Sequence, residues 1–232
     1  MRIKKLHRWD IAPKEAIALQ RELAVQVRLK KLPRRPRIVA GADIAIDRRS
    51  NEGIAAVIAY SYPGLEEIER VAARGRLTYP YIPGLLSFRE APVLIEAFSK
   101  LATRPDAILL DGQGIAHPRG LGLASHMGLV LSTPTIGCAK SRLVGSCREP
   151  SARRGSWTEL RYDKGGGRII GACVRTRDGV KPIFVSPGHL IDLAGSIEIA
   201  LGCFAGTRIP LPTREADRLV GMIARGEAGW AR

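Results

Sequence analysis

The amino-acid sequence predicts a mixed α/β fold, and the order of its apolar segments is the main reason. Three strand-like runs come first, followed by a helix-like segment, a short apolar run and a second helix-like segment. This order favours a sheet with helices packed on it. The chain has 232 residues, of which 45% are hydrophobic and 25% charged, so it can bury one substantial core. We therefore expect a single domain.

The N-terminal part of the sequence predicts a helix and then a loop. Proline is favoured in the first turn of a helix, so Pro13 can begin one, and apolar residues at helical spacing continue it to Leu32. We expect this helix to pack on the sheet. Residues 32–37 contain two prolines and three arginines, which predicts a loop that could contact phosphate groups.

The remaining elements follow from apolar periodicity and from the turn residues between the segments. The first three strands are expected to form an antiparallel meander, and they comprise Ile38 to Ile46, Gly53 to Tyr62 and about Ile68 to Leu77. Next we expect a helix from Ser87 to Leu101, a buried strand from Ala107 to Leu110 and a helix from Leu121 to Leu131.

The C-terminal part of the sequence predicts a hairpin and two helices. The two strands, Arg168 to Arg175 and Pro182 to Val185, flank a turn at residues 177–179. The helices are expected around Ile191 to Phe204 and Arg214 to Ala224. Residues 148–155 are rich in Arg, Ser, Pro and Gly, which is typical of a mobile surface loop.

The charge balance points to a polyanionic partner. The 37 Lys and Arg residues outnumber the 22 Asp and Glu residues, which gives a formal charge of +15. A positive field attracts nucleic acid and releases its counterions. An ordinary solvated surface could have the same composition, so charge alone assigns no chemistry.

Cysteine spacing and the N-terminus restrict the compartment. Cys138, Cys147, Cys173 and Cys203 lie far apart and form no CxxC pair, so we expect free thiols rather than a zinc site or a disulfide framework. Charges begin at Arg2, and the sequence contains neither a signal-peptide core nor a membrane-length apolar window. We expect a soluble, cytoplasmic protein.

Two aspartates occupy positions that the strand pattern does not need. Asp43 interrupts an apolar strand, and Asp111 ends another; burying a carboxylate there costs free energy unless it is paired or binds a cation. Ligand sites in α/β sheets form at the carboxyl ends of strands, and a divalent ion relieves the repulsion between two carboxylates. Oxygen ligands suit Mg²⁺ or Mn²⁺. A turn or cap role is the alternative, for Asp111 because Gly112 follows it.

Glu90 has two interpretations as well. Ser87 and Glu90 match the S-x-x-E pattern in which the two side chains close a capping box at the start of a helix. The local sequence favours this cap over a catalytic role.

Residues 80–90, with the sequence Pro-Tyr-Ile-Pro-Gly-Leu-Leu-Ser-Phe-Arg-Glu, resemble the signature of the endonuclease V family. The strand that contains Asp43 and five further segments also match in family order, so the resemblance extends from about residue 13 to residue 219. The five segments are residues 111–119, 122–126, 134–140, 186–189 and 210–217.

The resemblance implies a ribonuclease H-like fold, with a mixed five-stranded sheet flanked by helices and an acidic metal site. Asp43, Glu90 and Asp111 match the family's catalytic carboxylates, which hold Mg²⁺ or, as a substitute, Mn²⁺. Asp217 stands where relatives have a fourth acid or a histidine. Lys140 matches a lysine near the scissile phosphate, although a solvated lysine is its plain alternative. For Glu90, a cap or an indirect role stays open.

The resemblance also implies a reaction. One or two Mg²⁺ ions held by the carboxylates would activate water, which would hydrolyse the second phosphodiester bond 3′ to a deaminated purine such as deoxyinosine and leave 3′-hydroxyl and 5′-phosphate ends. An inosine-specific endoribonuclease with the same site is the alternative. A catalytically silent nucleic-acid-binding domain is disfavoured because all four acids are present.

The resemblance places lesion recognition next to this acidic site. Tyr81 lies in a loop stiffened by prolines and could fill the gap left by an extruded base, although ordinary loop packing is its local alternative. His117 and Arg119 could contact phosphate or order the site. Gln113 departs from the histidine of many relatives, which puts lesion preference in doubt. The expected recognition residues are Pro80, Tyr81, Ile82, Pro83, Gly84, Leu86, Gly112, His117 and Arg119.

For the whole chain, we expect a monomer that acts on DNA containing deaminated bases, and that could act on RNA containing inosine. Its core would lie between about residues 13 and 219 and be followed by a short flexible C-terminal tail.

Overall fold

The computed structural model describes residues 3–47, 50–163 and 167–227, which form a sheet with helices on both faces. Within these ranges the strands are β1 (Ile38–Asp47), β2 (Glu52–Ser61), β3 (Glu67–Arg76), β4 (Ala107–Leu110), β5 (Thr135–Ala139), β6 (Trp157–Arg161), β7 (Ile169–Val174) and β8 (Ile183–His189). The helices are α1 (Pro13–Ala24), α2 (Leu86–Lys100), α3 (Leu123–Leu131), α4 (Leu193–Gly202) and α5 (Leu211–Ala224).

The strands form a single mixed sheet in the order β3-β2-β1-β4-β5-β8-β7-β6. β1, β2 and β3 are the expected antiparallel meander, and β1, β4 and β5 run parallel. The expected five-stranded mixed sheet therefore corresponds to the five strands from β3 to β5, but the described sheet has eight strands. Strands β8, β7 and β6 continue it with antiparallel pairing.

Helices cover both faces of the sheet. Apolar side chains of α2 and α3 pack with one face, and those of α4 with the other. This double cover explains why eight consecutive residues of β2 are buried and why its sequence is almost continuously apolar. Helix α5 lies directly on β1 at Gly41, where an added Cβ would come within 2.0 Å of the Pro212 carbonyl carbon.

The first helix differs from the prediction in length and in packing. It ends at Ala24 instead of Leu32, because the following chain turns to pair with the end of β8. The Arg28 amide donates to His189 Nδ1 at 3.2 Å, and the Arg28 carbonyl accepts from Leu190 at 2.7 Å. The expectation that α1 packs on the sheet was wrong, since its buried residues contact α2 and α3 instead.

Most other predicted elements are confirmed, but β5 and β6 were missed. β5 is short, and β6 is an edge strand whose residues are half exposed, so neither has a distinct local pattern. Residues 148–155 form a surface loop whose backbone is held by Arg175, which donates to the Pro150 and Ser151 carbonyls at 2.8 and 3.0 Å.

Several smaller expectations can be placed on this fold. Helix α5 begins at Leu211 rather than Arg214, while residues 48 and 49 of a predicted turn and residues 228–232 of the predicted tail lie outside the described ranges. The four cysteines are free thiols. Among the described helices, none is both long and apolar enough to cross a bilayer.

The contact between α5 and β1 generates a stability prediction. Substituting Gly41→Ala forces a methyl group into the Pro212 backbone, so we expect the free energy of unfolding to fall by about 1–3 kcal/mol. The matched control is Gly221→Ala on the same helix, whose new methyl group meets only the flexible end of Arg225. The control should be neutral or gain up to about 1 kcal/mol in urea denaturation. Equal stability of the two variants would contradict this packing.

Candidate active site

The pairing of β1 with β4 brings two carboxylates together. The strands are parallel, and Ala42 stands beside Leu110, so the next residue on each strand, Asp43 and Asp111, is also adjacent. The Asp111 amide donates to the Ala42 carbonyl at 3.4 Å, which continues the pairing up to this point. In the sequence, Asp43 interrupts one apolar strand and Asp111 ends another. The pairing of the two strands brings these separate residues together.

Lys140 supplies a positive charge beside these acids. It follows β5, the parallel neighbour of β4, and its Nζ lies 2.7 Å from Asp111 Oδ2 and 3.3 Å from Asp217 Oδ2. Burial lowers the pKa of Lys140, but its hydrogen bond to Asp111 and the surrounding carboxylates outweigh burial and raise the pKa. Lys140 is therefore held in its charged form between β4 and α5.

The charge of Asp43 is not fully compensated. Burial raises its pKa to about 8, and the negative charges of Asp111 and Asp217 act in the same direction. A backbone hydrogen bond at Ile44 and the charge of Lys140 oppose the rise. Because the rise remains large, this side chain lies in a place where a further positive charge would be favourable.

Glu90 reaches the same acidic environment from α2. Its side chain is buried, and burial followed by the charge of Asp111 raises its pKa to about 8, against the opposing charge of Arg89. The capping-box interpretation was wrong. The helix is capped at Leu85 without a side-chain hydrogen bond, and Ser87 lies inside it with its hydroxyl 2.9 Å from His126 Nδ1.

The donor set suits a divalent cation of the magnesium type. Asp43, Glu90 and Asp111 offer carboxylate oxygens only, and the pKa values of Asp43 and Glu90 are raised by burial and then by the charge of Asp111, which a bound cation would offset. As the described side chains stand, no three Asp, Glu, His or Cys residues converge closely enough to hold a metal. Of the predicted acids, Asp43, Asp111 and Asp217 lie around Lys140, and Glu90 approaches this group from α2.

A cavity of about 460 Å³ opens beside the carboxylates. Its wall includes Asp111 and Lys140 together with most of the predicted recognition residues, namely Tyr81, Ile82, Pro83, Gly84, Leu86, Gly112 and His117. Pro80 precedes this wall along the chain. Tyr81 is 70% exposed, which disagrees with ordinary loop packing.

Gly84 anchors the loop of residues 80–85 that precedes α2. It has φ of +80°, and its carbonyl accepts hydrogen bonds from Gln20 Nε2 at 2.9 Å, Arg119 Nη2 at 2.7 Å and His117 Nε2 at 3.1 Å. Burial, followed by the charge of Arg119, lowers the pKa of His117 to about 4, so the ring is neutral and donates through Nε2. His117 and Arg119 therefore order the loop in this structure.

Gln20 was missed at the sequence level. It is 1% exposed, and its Oε1 also accepts from Arg119 Nε at 2.5 Å. A signal was present, because Gln20 lies on the buried face of α1 between Ala16 and Leu23, where a polar side chain requires a partner.

A second buried polar chain positions the start of α2. The His7 Nδ1 lies 2.7 Å from the Arg8 carbonyl and therefore donates to it, which leaves His7 Nε2 to accept from His126 Nε2 at 2.7 Å. His126 Nδ1 then accepts from the Ser87 hydroxyl. Burial, and next the proximity of His7, lowers the pKa of His126 to about 3, consistent with this neutral arrangement. The N-terminal segment is thereby joined to the helix that carries Glu90.

Comparison with known proteins gives a consistent result. The family model for endonuclease V matches residues 21–218. The endonuclease V of Dehalococcoides mccartyi is 48% identical over 216 residues, which are 93% of this chain and 96% of the relative. The crystal structure of endonuclease V from Streptomyces avermitilis is 38% identical and superposes with a TM-score of 0.88, covering 94% of this chain and 95% of that one.

A more distant structure includes nucleic acid. Endonuclease V of Ciona intestinalis, in complex with a 23mer DNA containing an inosine followed by a ribo-adenosine, is 26% identical with a TM-score of 0.80. The superposition covers 94% of this chain and 100% of that one. The expected ribonuclease H-like fold is confirmed by these structures.

The raised pKa of Asp43 generates a prediction about stability. A carboxyl group whose pKa is higher in the folded state than in the unfolded state stabilises the fold below its unfolded pKa, and that contribution is lost as pH rises through about 8. In metal-free buffer, Asp43→Asn should therefore raise the Tm above pH 8 by about 2 °C or more, with the difference disappearing near pH 4.

Asp10→Asn is the matched control for this experiment. Its hydrogen bond with Arg8 lowers the pKa of Asp10, so the amide should not raise the Tm at any pH. A Tm of Asp43→Asn that stays at or below the wild-type value above pH 8 would contradict the assigned electrostatics.

Proposed function

The chain belongs to the endonuclease V family of metal-dependent nucleases, and on this premise we propose that it nicks DNA beside deaminated purines such as deoxyinosine. The observation that carries the proposal is that the acidic site adjoins the cavity lined by the expected recognition residues. Asp111 and Lys140 border the same cavity that is lined by Tyr81, Ile82, Pro83, Gly84 and Leu86, and Asp43 is adjacent to Asp111 across the paired strands β1 and β4. A base held in the cavity would keep its own backbone next to the acids.

The cavity is suited to an extruded base. Its volume of about 460 Å³ is large enough for a purine, and enzymes that act on a base within a duplex flip it into a pocket of this kind. Gly84 has φ of +80° and Gly112 has φ of +152°, so both positions favour glycine and place no side chain of their own over the adjoining backbone; the Gly84 carbonyl is itself occupied by three side-chain donors. Backbone donors and acceptors could then distinguish hypoxanthine, which has an oxygen where adenine has an amine.

Tyr81 has a separate role in this proposal. Its ring is exposed at the edge of the cavity, and the prolines on either side restrict the loop that carries it. An aromatic ring so placed can stack in the gap that the extruded base leaves behind. Stacking of a base on an aromatic side chain is worth about 1–3 kcal/mol.

The catalytic roles follow from the charges. Asp43 and Asp111 would hold the metal with the help of Glu90, and the bound ion supplies Lewis-acid activation of water and neutralisation of the phosphate. Lys140, kept charged by Asp111 and Asp217, would stabilise negative charge that develops on the phosphoryl oxygens. We propose Mg²⁺ as the ion, with cleavage at the second phosphodiester bond 3′ to the lesion and 3′-hydroxyl and 5′-phosphate products.

An inosine-specific endoribonuclease is the second candidate. The Ciona relative was crystallised with a ribo-adenosine after the inosine, so that protein accommodates a 2′-hydroxyl at this position. The same carboxylates and cavity would serve either substrate. In both cases we propose a monomer with one domain, whose core lies between about residues 13 and 219.

Cleavage of labelled DNA with one deoxyinosine, in Mg²⁺ or EDTA, tests the proposal. The wild type should nick it only with Mg²⁺, and Asp43→Ala should reduce the rate about 1,000-fold, which corresponds to about 4 kcal/mol of transition-state stabilisation. Tyr81→Ala should weaken the discrimination between inosine and adenine about tenfold, whereas Trp157→Ala, an exposed aromatic residue on β6, should leave it unchanged.

Each contrary outcome has a separate meaning. Cutting of the matching inosine RNA but not of the DNA would replace the first candidate by the endoribonuclease. Full activity of Asp43→Ala would refute the assigned metal ligands. No cutting of either substrate would refute the nuclease proposal.

A further inference from the structure

A strongly basic segment lies outside the site described above. Residues 28–37 contain six cations and no carboxylate, and the structure exposes all six at the surface. They are Arg28, Lys30, Lys31, Arg34, Arg35 and Arg37. The cleavage site uses none of them.

Two further cations complete the surface, which we call the basic rim: the six residues above together with Lys4 and Arg104. Three neighbouring cavities, with volumes of about 470, 420 and 500 Å³, are lined by all of these residues except Lys30, which lies between Arg28 and Lys31 along the chain. The first two cavities share Ser132, and the second and third share Arg34. The rim is therefore continuous, and it is concave rather than a set of isolated side chains.

Few carboxylates oppose the positive charge of the rim. Asp106 is occupied, since it accepts from the backbone amides of Arg37 and Ile38 at 2.9 and 3.1 Å and pairs with Arg34 at 3.2 Å. Asp192 caps α4 by accepting from the Gly195 amide at 2.8 Å. Glu198 adds one more negative charge, against eight cations.

The rim lies at the opposite end of the parallel strands from the carboxylates. It surrounds the first residues of β1 and β4, whereas Asp111 follows the last residue of β4. At about 3.3 Å per residue, the five steps from Asp106 to Asp111 separate the two regions by roughly 16 Å. A contact at the rim is thus distinct from binding in the cleavage site.

The segment is also held in place. Its first residue is bound through its backbone to His189 and Leu190, and its last is bound through its backbone to Asp106. The rim charges are therefore presented on a fixed backbone, which lowers the entropic cost of binding.

We infer that the basic rim binds the phosphate backbone of duplex DNA, and so holds the protein on undamaged DNA apart from the cleavage site. Lys and Arg contacts to phosphate give affinity without reading sequence. The inference rests on the proposed function only for the choice of DNA as the polyanion.

The test measures binding to an undamaged duplex in EDTA, by fluorescence anisotropy over a series of salt concentrations. The rim variant carries Arg28→Gln, Lys30→Gln, Lys31→Gln and Arg37→Gln, whose side chains support none of the contacts described above. The control variant removes the same charge from exposed residues around β6, β7 and β8, by Arg153→Gln, Arg168→Gln, Arg177→Gln and Lys181→Gln.

We expect the rim variant to bind about tenfold more weakly at roughly 0.1 M salt, and the slope of its salt dependence should fall by about one for each phosphate that is no longer neutralised. The control variant should bind as the wild type does. Cleavage of a short inosine oligonucleotide under single-turnover conditions should be unchanged in the rim variant, and equal melting temperatures would verify that both variants fold.

Equal binding by the rim variant and the wild type would overturn the inference, and so would an equal loss in the control variant, which would assign the affinity to net charge. Loss of binding to phosphatidylserine vesicles without loss of DNA binding would overturn it in favour of an anionic membrane. The binding assay needs neither a lesion nor a metal. Its result can therefore be interpreted even if the protein does not cleave DNA that contains inosine.

Discussion

The repulsion between Asp43 and Asp111 is the constraint on which the rest of the site depends. Parallel pairing of β1 with β4 makes the two carboxylates neighbours, and burial prevents water from screening their charges. The ammonium group of Lys140 pairs with Asp111, and Glu90 adds a further carboxylate whose pKa is raised by burial and then by the charge of Asp111. The protein holds this unfavourable arrangement by packing around it, with α5 pressed onto β1 at Gly41, two residues before Asp43.

One short stretch of backbone joins the proposed metal ligand Asp111 to the residues that line the cavity. Asp111, which we propose as a metal ligand, directly follows β4, and both it and the next residue, Gly112, line the cavity. That turn is packed against β5, where a Cβ on Gly137 would come within 2.6 Å of the Gly112 carbonyl oxygen. On the other side, Gly84 is held by three side-chain donors. The cavity wall is thus held by close packing at Gly112, next to Asp111, and by hydrogen bonds at Gly84.

Local sequence patterns predicted the helices and strands whose limits are set by their own residues. The meander, α2, β4 and α3 were predicted from apolar segments separated by turn residues, and the structure places strands and helices at these segments. β5 pairs with β8, about 50 residues further along the chain, and β6 is a partly exposed edge strand without a distinct pattern of its own. The end of α1 is decided by a contact with His189. The resemblance predicted the grouping of acids better than local rules did. Ser87 and Glu90 match a capping box, yet the helix starts two residues too early to form it, with Leu85 at the N-cap.

Anomalous diffraction from crystals soaked in Mn²⁺ tests the central claim most directly, because it locates the ion without requiring activity. The account predicts an anomalous peak at the carboxylates of Asp43 and Asp111, within about 2.0–2.3 Å of an oxygen of each, and its absence from crystals of Asp43→Asn. A wild-type crystal without a peak there, or an equal peak in the Asp43→Asn crystal, would contradict the claim that repulsion between these carboxylates creates the metal site.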